Sequence, residues 1–157
     1  MELGGKCPAI VLDDADLEQA ADLCAKGALI NHGQVCFSTE RIIVHEKIAD
    51  KFKGLLAKAV KVNTAVAGAG VTEGIVAHAH DVLKDAQAHG LEFLVGGPDY
   101  ADGGSKASLK SSLIMEPKDG ARIIDEETFG RLFANLRRRW VLTRLCRSFR
   151  LLVRCLF

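Results

Sequence analysis

The chain alternates short runs of apolar residues with segments whose apolar residues recur every three or four positions. Short β-branched or apolar runs are typical of buried strands, and we predict strands at residues 8–12, 41–45, 91–95 and 113–115, with a shorter one at 123–124. The recurring spacing predicts amphipathic helices at residues 15–30, 47–61 and 72–90. Strands that alternate with helices indicate an α/β domain whose largely parallel sheet is flanked by helices.

Capping residues mark the ends of two of these helices. Asp13, Asp14 and Asp16 lie at the start of the first helix, where a carboxylate accepts hydrogen bonds from the free backbone N–H groups of the first turn. Thr72 is the equivalent cap of the third helix, which we expect to end at Gly90. The caps support the assignment of both segments as helices rather than strands.

Charge is distributed unevenly along the 157 residues. Residues 1–130 contain all 20 acidic residues and 13 Lys or Arg, which gives a net charge of −7. Residues 131–157 contain eight Arg and no acidic residue, which gives a net charge of +8. We therefore predict a domain at residues 1–130 and a basic, Arg- and Leu-rich tail at residues 131–157.

The sequence has no apolar run of membrane-spanning length and no secretory signal segment at its start. We expect a cytoplasmic protein, in which the five cysteines do not form a disulfide framework. The cysteines are therefore considered one at a time, as small buried side chains or as reactive thiols.

Cys36 ends the segment Gly-Gln-Val-Cys at residues 33–36, directly after a predicted helix. Gly33 permits a tight turn, and Gln34 and the backbone N–H groups around Cys36 are suited to bind a developing oxyanion. A thiolate in such a turn is a candidate nucleophile, and Glu2 has the chemistry of its general base. The residues alone leave a second interpretation open, in which Cys36 is a small core side chain and Glu2 is a solvated one.

The remaining candidate metal ligands are not expected to point towards a common metal ion. His78 and His80 lie two positions apart on a predicted helix and point to different faces, whereas paired metal ligands on a helix are typically four positions apart. We therefore predict no metal site. Cys24 falls on the apolar stripe of the first helix and is expected in the core, while Lys6 is expected to be solvated.

Five short motifs follow one another along the chain: ELGGK at 2–6, DDADL at 13–17, GQVC at 33–36, RIIV at 41–44 and EETFG at 126–130. Their order and spacing resemble those of the catalytic part of the aldehyde dehydrogenase family. Residues 1–130 resemble that part of the family, and the separation of Glu2 from Cys36 is the family's usual one. The resemblance implies a truncated aldehyde dehydrogenase-like catalytic domain, because only part of a usual family member is matched.

The resemblance implies an oxidoreductase that oxidises an aldehyde to a carboxylic acid with NAD or NADP. Cys36 would form a thiohemiacetal and then a thioester, and Glu2 would activate the water that hydrolyses the thioester. The cofactor contacts that it implies are Leu3 and Gly4 beside the nicotinamide, Glu127 at the ribose and Phe129 at the ring. The family's dinucleotide-binding fold and oxyanion asparagine have no counterpart among these motifs, so the cofactor-binding site is incomplete.

Residues 36–41, with the sequence CFSTER, resemble the salicylaldehyde and vanillin dehydrogenase branch of the family. This implies an aromatic aldehyde as substrate, and Phe37 beside the nucleophile is compatible with an aromatic pocket as well as with core packing. The implied partner is a small-molecule aldehyde. Neither nucleic acid nor membrane is expected as a partner, and a family-like homo-oligomer stays open.

The resemblance ends after Gly130, where the basic tail begins. We interpret the composition of the tail as the product of a change in reading frame. A basic helix at a membrane surface and a phosphate-binding segment are the rival interpretations. The functional alternative to the enzyme is an inactive fragment that acts at most as an interaction or basic binding module.

Overall fold

The structure is a computed structural model. It describes residues 4–64, 68–101, 106–118 and 120–138, with residues 135–138 described by their backbone alone. The strands of the described part are β1 (Pro8–Val11), β2 (Arg41–His45), β3 (Glu92–Val95), β4 (Ser112–Met115) and β5 (Leu132–Arg138). Its α-helices are α1 (Leu17–Leu29), α2 (Ala49–Asn63), α3 (Glu73–Ala88) and α4 (Arg122–Asp125).

The five strands form one sheet in the order β1-β2-β5-β4-β3. The pairs β1–β2, β2–β5 and β4–β5 are parallel, and only the edge strand β3 pairs antiparallel, with β4. This confirms the predicted α/β domain with a largely parallel sheet. The central position belongs to β5, so the strand that comes last in the described chain pairs with both β2 and β4.

The helices cover both faces of the sheet. Alternate residues of one strand point to opposite faces, and Phe133 and Ala134 of β5 accordingly belong to two separate core clusters. The first cluster contains α1, α2 and Phe133, and the second contains α3, α4 and Ala134. The sheet is therefore the middle layer of three, as expected for buried, mostly parallel strands.

The predicted caps are present at the starts of α1 and α3. One Asp16 oxygen accepts hydrogen bonds from the backbone N–H groups of Glu18 and Gln19, each at 3.1 Å. The Thr72 hydroxyl accepts one from the N–H of Ile75 at 3.3 Å. Each contact satisfies N–H groups that have no partner within the helix.

The short strand predicted at residues 123–124 is wrong. Those residues lie in the single helical turn α4, whose Arg122 pairs with Glu126 across that turn through two contacts of 2.6 and 2.7 Å. Ile123 is fully buried in the second core cluster. Two apolar residues in a row mark a buried segment but carry no periodicity that distinguishes a strand from a turn of helix.

The predicted boundary after Gly130 falls immediately before the central strand. Residues 132–138, which we assigned to the basic tail, form β5, and Leu132, Phe133 and Ala134 are almost completely buried. Residues 139–157 of the predicted tail lie outside the described residues.

Candidate active site

The predicted site lies at the amino-terminal edge of the parallel strands. Cys7 comes directly before β1, the segment 36–40 before β2 and the segment 126–131 before β5. Because these three strands run parallel, the segments that enter them meet at one edge of the sheet. This arrangement brings together motifs that lie far apart in the sequence.

The loop that carries Cys36 has an unusual backbone. After α1 the chain forms a 3₁₀ turn at Ile30–Gly33, in which Asn31, His32 and Gly33 have φ of 48°, 63° and 78°. A Cβ atom on Gly33 would lie 2.2 Å from the carbonyl oxygen of Gly130. Glycine is therefore required here both by the left-handed backbone and by close packing against a second main chain.

Cys36 is exposed at the end of this loop and its thiol is free. Phe37 beside it is 72% exposed, so it does not belong to the core. For each of these residues the sequence left two interpretations, packing in the core or a role at the site. The structure rules out core packing for both side chains, because both are exposed.

Gln34 holds the cysteine loop to a second loop rather than pointing an amide at a substrate. Its side-chain nitrogen donates to the carbonyls of Asn31 at 2.9 Å and Ala69 at 3.2 Å. Its side-chain oxygen accepts from the backbone N–H of Val71 at 2.8 Å. Since the carboxamide is engaged by backbone, the expectation that Gln34 binds an oxyanion is wrong in this structure.

Glu127 faces the glycine turn at the start of the described chain. Its Oε2 accepts a hydrogen bond from the backbone N–H of Gly5 at 3.0 Å. A Cβ atom on Gly5 would lie 3.8 Å from Glu127 Oε1 and 4.0 Å from the carbonyl oxygen of Cys36. Gly4, exposed with φ of +91°, borders the same carboxylate. The structure thus brings together three predicted site residues, Gly4, Cys36 and Glu127.

A buried ion pair fixes the segment that carries Glu127. Lys6 Nζ lies 3.4 Å from Glu40 Oε1 and donates to the carbonyl of Glu126 at 2.7 Å. Glu40 Oε1 also accepts from the backbone N–H of Thr128 at 2.9 Å and from its hydroxyl. Burial lowers the pKa of Lys6, although the neighbouring Glu40 opposes that effect. The expectation that Lys6 is solvated is wrong, because it is only 8% exposed.

Phe129 follows Thr128 in this segment. It is half-buried, and its backbone is left-handed with φ of 47°. The next residue, Gly130, packs tightly too, since a Cβ atom there would lie 2.4 Å from the Cβ of Ala79 on α3. The two predicted cofactor contacts Glu127 and Phe129 therefore flank a residue, Thr128, that Glu40 anchors in the interior.

Cys7 is a site residue that the sequence reasoning missed. Its Sγ donates a hydrogen bond to the carbonyl oxygen of Cys36 at 3.2 Å. Burial raises the pKa of the Cys7 thiol, and the nearby Glu40 and Glu127 raise it further. No local sequence pattern predicts this contact, because it joins residues 29 positions apart through the pairing of β1 with β2.

Glu2 and Leu3, the predicted general base and one predicted cofactor contact, lie outside the described residues.

His78 Nε2 lies 3.1 Å from the carbonyl oxygen of Glu127, while the ring of His80 packs on Tyr100 with centroids 4.6 Å apart. In the described ranges, no group of three or more His, Cys, Asp or Glu side chains is arranged to hold a metal ion. No helix in those ranges is both long enough and apolar enough to cross a bilayer.

Comparison with known proteins identifies the family. The model of the aldehyde dehydrogenase family matches residues 1–137. The chain belongs to the aldehyde dehydrogenase family. The match extends seven residues beyond Gly130 and includes most of β5, so the family's sequence pattern covers the central strand of the sheet.

Among curated relatives, the chain is 37% identical over 146 residues to vanillin dehydrogenase of Pseudomonas fluorescens, covering 87% of this chain and 29% of that protein. It is 37% identical over 139 residues to salicylaldehyde dehydrogenase of Pseudomonas putida, covering 83% and 28%. The chain therefore spans less than a third of the length of these curated aldehyde dehydrogenases.

Solved aldehyde dehydrogenases share the fold. The enzyme KauB of Pseudomonas aeruginosa superimposes with a TM-score of 0.81 at 26% identity, over 88% of this chain and 30% of that one. Betaine aldehyde dehydrogenase of Staphylococcus aureus, solved in complex with NAD+, gives a TM-score of 0.80 at 29% identity over the same shares. These likenesses confirm the predicted aldehyde dehydrogenase-like fold of the catalytic domain.

Proposed function

We propose that this chain carries the nucleophile-bearing part of an aldehyde dehydrogenase, which oxidises an aromatic aldehyde to a carboxylic acid with NAD+ or NADP+. The observation that carries the proposal is the meeting of three predicted site residues at one edge of the sheet. Gly5 borders both the carboxylate of Glu127 and the backbone carbonyl of Cys36, whose thiol is free and exposed. A thiol, a carboxylate and a turn that lacks side chains are the parts that a covalent oxidation beside a bound dinucleotide requires.

In the first step, the thiolate of Cys36 attacks the carbonyl carbon of the aldehyde. A sulfur–carbon bond forms, and the carbonyl oxygen takes the negative charge of the tetrahedral thiohemiacetal. The backbone N–H of Cys36 is our candidate donor to this oxyanion. Because the side chain of Gln34 is engaged by the backbone of residues 31, 69 and 71, it contributes by holding the loop rather than by binding the substrate.

The residues around the Gly4–Gly5 turn fit a nicotinamide cofactor. A Cβ atom on Gly4 would lie 3.8 Å from Glu127 Oε2, so the glycine leaves space open beside that carboxylate. Glu127 is half-buried and suited to accept hydrogen bonds from ribose hydroxyls. The residues that would hold the cofactor are Leu3, Gly4, Glu127 and Phe129. When bound, NAD+ or NADP+ supplies the acceptor for the hydride that leaves the thiohemiacetal.

Loss of hydride converts the adduct of Cys36 to a thioester, which water must hydrolyse. We assign Glu2 as the base that removes a proton from this water, since a carboxylate is able to accept that proton. Hydrolysis breaks the sulfur–carbon bond, releases the carboxylic acid and returns the thiol of Cys36 for another cycle.

An aromatic substrate is supported by two observations. Phe37 presents a largely exposed ring next to the nucleophile, and an exposed aromatic face packs well on another ring. The relatives at 37% identity are named for vanillin and salicylaldehyde, which are both aromatic aldehydes. We therefore expect higher kcat/KM with aromatic than with short aliphatic aldehydes.

The test follows NADH or NADPH formation with vanillin, salicylaldehyde, benzaldehyde and acetaldehyde. We expect little turnover from these 157 residues alone, since they span less than a third of the relatives. A second measurement needs no cofactor: an activated ester such as p-nitrophenyl acetate should acylate Cys36, which mass mapping detects as an acetyl group on that residue.

Cys36→Ser is the test variant and Cys24→Ala is its matched control, because Cys24 is buried on α1 away from the site. We expect Cys36→Ser to lose both acylation and any turnover, and Cys24→Ala to retain them. Acylation of other residues with Cys36 untouched would contradict the proposal. Acylation without turnover, even in the presence of the rest of a family member, would favour the alternative of an inactive interaction or binding module.

A further inference from the structure

The nucleophile has a second thiol as an immediate neighbour. Cys7 Sγ lies 3.2 Å from the backbone carbonyl oxygen of Cys36, and both thiols are free. The side chain of Cys36 is exposed, whereas Cys7 is half-buried at the entry to β1. The parallel pairing of β1 with β2 holds Cys7 against the end of the loop that carries Cys36, because the backbone N–H groups of Glu40 and Arg41 both donate to the carbonyl of Cys7.

We propose that Cys7 and Cys36 form a reversible disulfide when the protein meets a hydroperoxide, with Cys36 oxidised first and Cys7 acting as its resolving thiol. The pairing itself needs no aldehyde and no cofactor. Its consequence rests on the function proposed above, because a Cys36 held in a disulfide has no thiolate with which to attack a carbonyl.

The two steps balance with hydrogen peroxide as the oxidant. The thiolate of Cys36 attacks one oxygen of the peroxide, so that an S–O bond forms, the O–O bond breaks and hydroxide leaves. The Cys7 sulfur then attacks the sulfenic acid of Cys36. An S–S bond forms, the S–O bond breaks, and the proton of Cys7 leaves with the hydroxyl group as water.

The surroundings assign the order of the two thiols. Cys36 is exposed and meets the oxidant first, whereas Cys7 is half-buried. Burial and the carboxylates of Glu40 and Glu127 raise the pKa of Cys7, which keeps its thiol protonated and slow to react with peroxide on its own. Closing the bond requires the Cys36 side chain to rotate towards Cys7 while Cys7 leaves the carbonyl oxygen.

The consequence of the pairing is protection of the nucleophile. A sulfenic acid without a partner thiol is oxidised further to sulfinic acid, which ordinary thiols do not reduce. A disulfide with Cys7 stops the oxidation at a state that dithiothreitol reverses. We therefore expect peroxide to switch Cys36 off without destroying it.

The test treats the full chain with hydrogen peroxide, blocks the remaining thiols with N-ethylmaleimide and maps the peptides by mass. Cleavage after Lys6, Glu18, Lys26 and Arg41 places Cys7, Cys24 and Cys36 in three different peptides. We expect the peptides of Cys7 and Cys36 to be joined, with the loss of two hydrogen atoms, and to separate on addition of dithiothreitol. The yield should not depend on protein concentration, since the reaction is intramolecular.

Cys7→Ser removes the resolving thiol and keeps the nucleophile. We expect Cys36 in this variant to accumulate as sulfinic acid, with at least a tenfold lower fraction recovered by dithiothreitol. Cys24→Ala should behave like the unaltered chain. If the unaltered chain gives sulfinic acid at Cys36 with Cys7 still open to N-ethylmaleimide, or joins Cys36 to Cys24, Cys146 or Cys155, the proposal is wrong.

This experiment separates the disulfide from the proposed catalysis. A Cys7–Cys36 bond in a chain that neither acylates nor turns over would leave the redox pair standing and remove the enzyme function. Acylation of Cys36 without a peroxide-induced bond would support the enzyme function and remove the redox pair.

Discussion

Gly33 lies directly against the main chain of Gly130. A Cβ atom on Gly33 would come within 2.2 Å of the Gly130 carbonyl oxygen and 2.7 Å of its carbonyl carbon. Because the obstacle is backbone rather than a flexible side chain, no rotamer change relieves it. The contact holds the cysteine loop against the segment that carries Glu127 and Phe129, so the geometry of the site depends on a residue that has no side chain.

Replacing Gly33 with alanine should therefore destabilise the fold. A left-handed backbone and overpacking together are expected to cost about 2–4 kcal/mol in the free energy of unfolding. Urea unfolding followed by circular dichroism measures the change. Gly54→Ala is the matched control, since Gly54 lies inside α2 with no atom within 4 Å of a new Cβ.

The Gly54→Ala control is expected to stabilise the protein by about 0.5–1 kcal/mol, because alanine loses less backbone entropy in a helix interior. Equal stability of the Gly33 variant and the unaltered chain would show that the loop relaxes away from Gly130.

Glu40→Ala should be among the most destabilising single substitutions near the site. It removes the carboxylate that pairs with buried Lys6 and accepts from Thr128, and breaking such a pair costs about 3–5 kcal/mol. Glu92→Ala, which removes an exposed partner of Lys53, should cost less than about 1 kcal/mol. Chemical denaturation gives the free energy of unfolding of both variants. Similar losses of stability in the two variants would contradict the role of Glu40 in a buried ion pair.

Buried Cys24 should make the protein less stable in alkali. Burial raises the pKa of its thiol to about 12, against 9.0 for an exposed cysteine. Between these values the unfolded chain has lost the proton and the folded chain has kept it, so stability falls as the pH rises. The slope approaches about 1.4 kcal/mol per pH unit for one fully coupled group.

Cys24→Ala tests that slope. Below pH 9 the free energies of unfolding of the two proteins should run parallel, and above it the unaltered chain should fall more steeply. The comparison cancels the contributions of Lys6 and Cys7, which both proteins retain. Identical alkaline slopes would show that the Cys24 thiol is already solvated in the native state.

The three described thiols should react with iodoacetamide in a fixed order. Cys36 is exposed, Cys7 is half-buried with a raised pKa and Cys24 is buried, so we expect Cys36 to be alkylated first and Cys24 last. Pulsed labelling with peptide mass mapping gives the three rates. Labelling of Cys24 as fast as Cys36 would place α1 away from the core in solution.

Local patterns in the sequence were enough to predict most of the elements. The strand at 41–45 and the helix cap at Thr72 each depend on only a few neighbouring residues, and both predictions are confirmed. The pair Ile123–Ile124 was assigned wrongly because two residues show no period. The short motifs around Cys36 and Glu127 indicated the family, which the family model confirms.

Contacts between residues that lie far apart in the chain could not be predicted from local sequence patterns. Lys6 and Glu40 are separated by 33 residues, and nothing in either neighbourhood shows that the two charges are buried together. The Cys7 thiol meets Cys36 only because β1 and β2 pair in parallel with a particular register. Burial of a charge and contact between distant thiols are properties of the assembled sheet, so they required the structure.

The sheet order imposes a sequence of events on a chain that emerges from the ribosome amino end first. β1 and β2 are made early and β3 and β4 follow, yet each pair keeps an open edge until β5 inserts between β2 and β4. Such late, non-local pairing slows folding and leaves unpaired strand edges exposed to other chains. Nascent chains halted before residue 132 should therefore be aggregation-prone and dependent on chaperones, whereas those that include residues 132–138 can close the sheet.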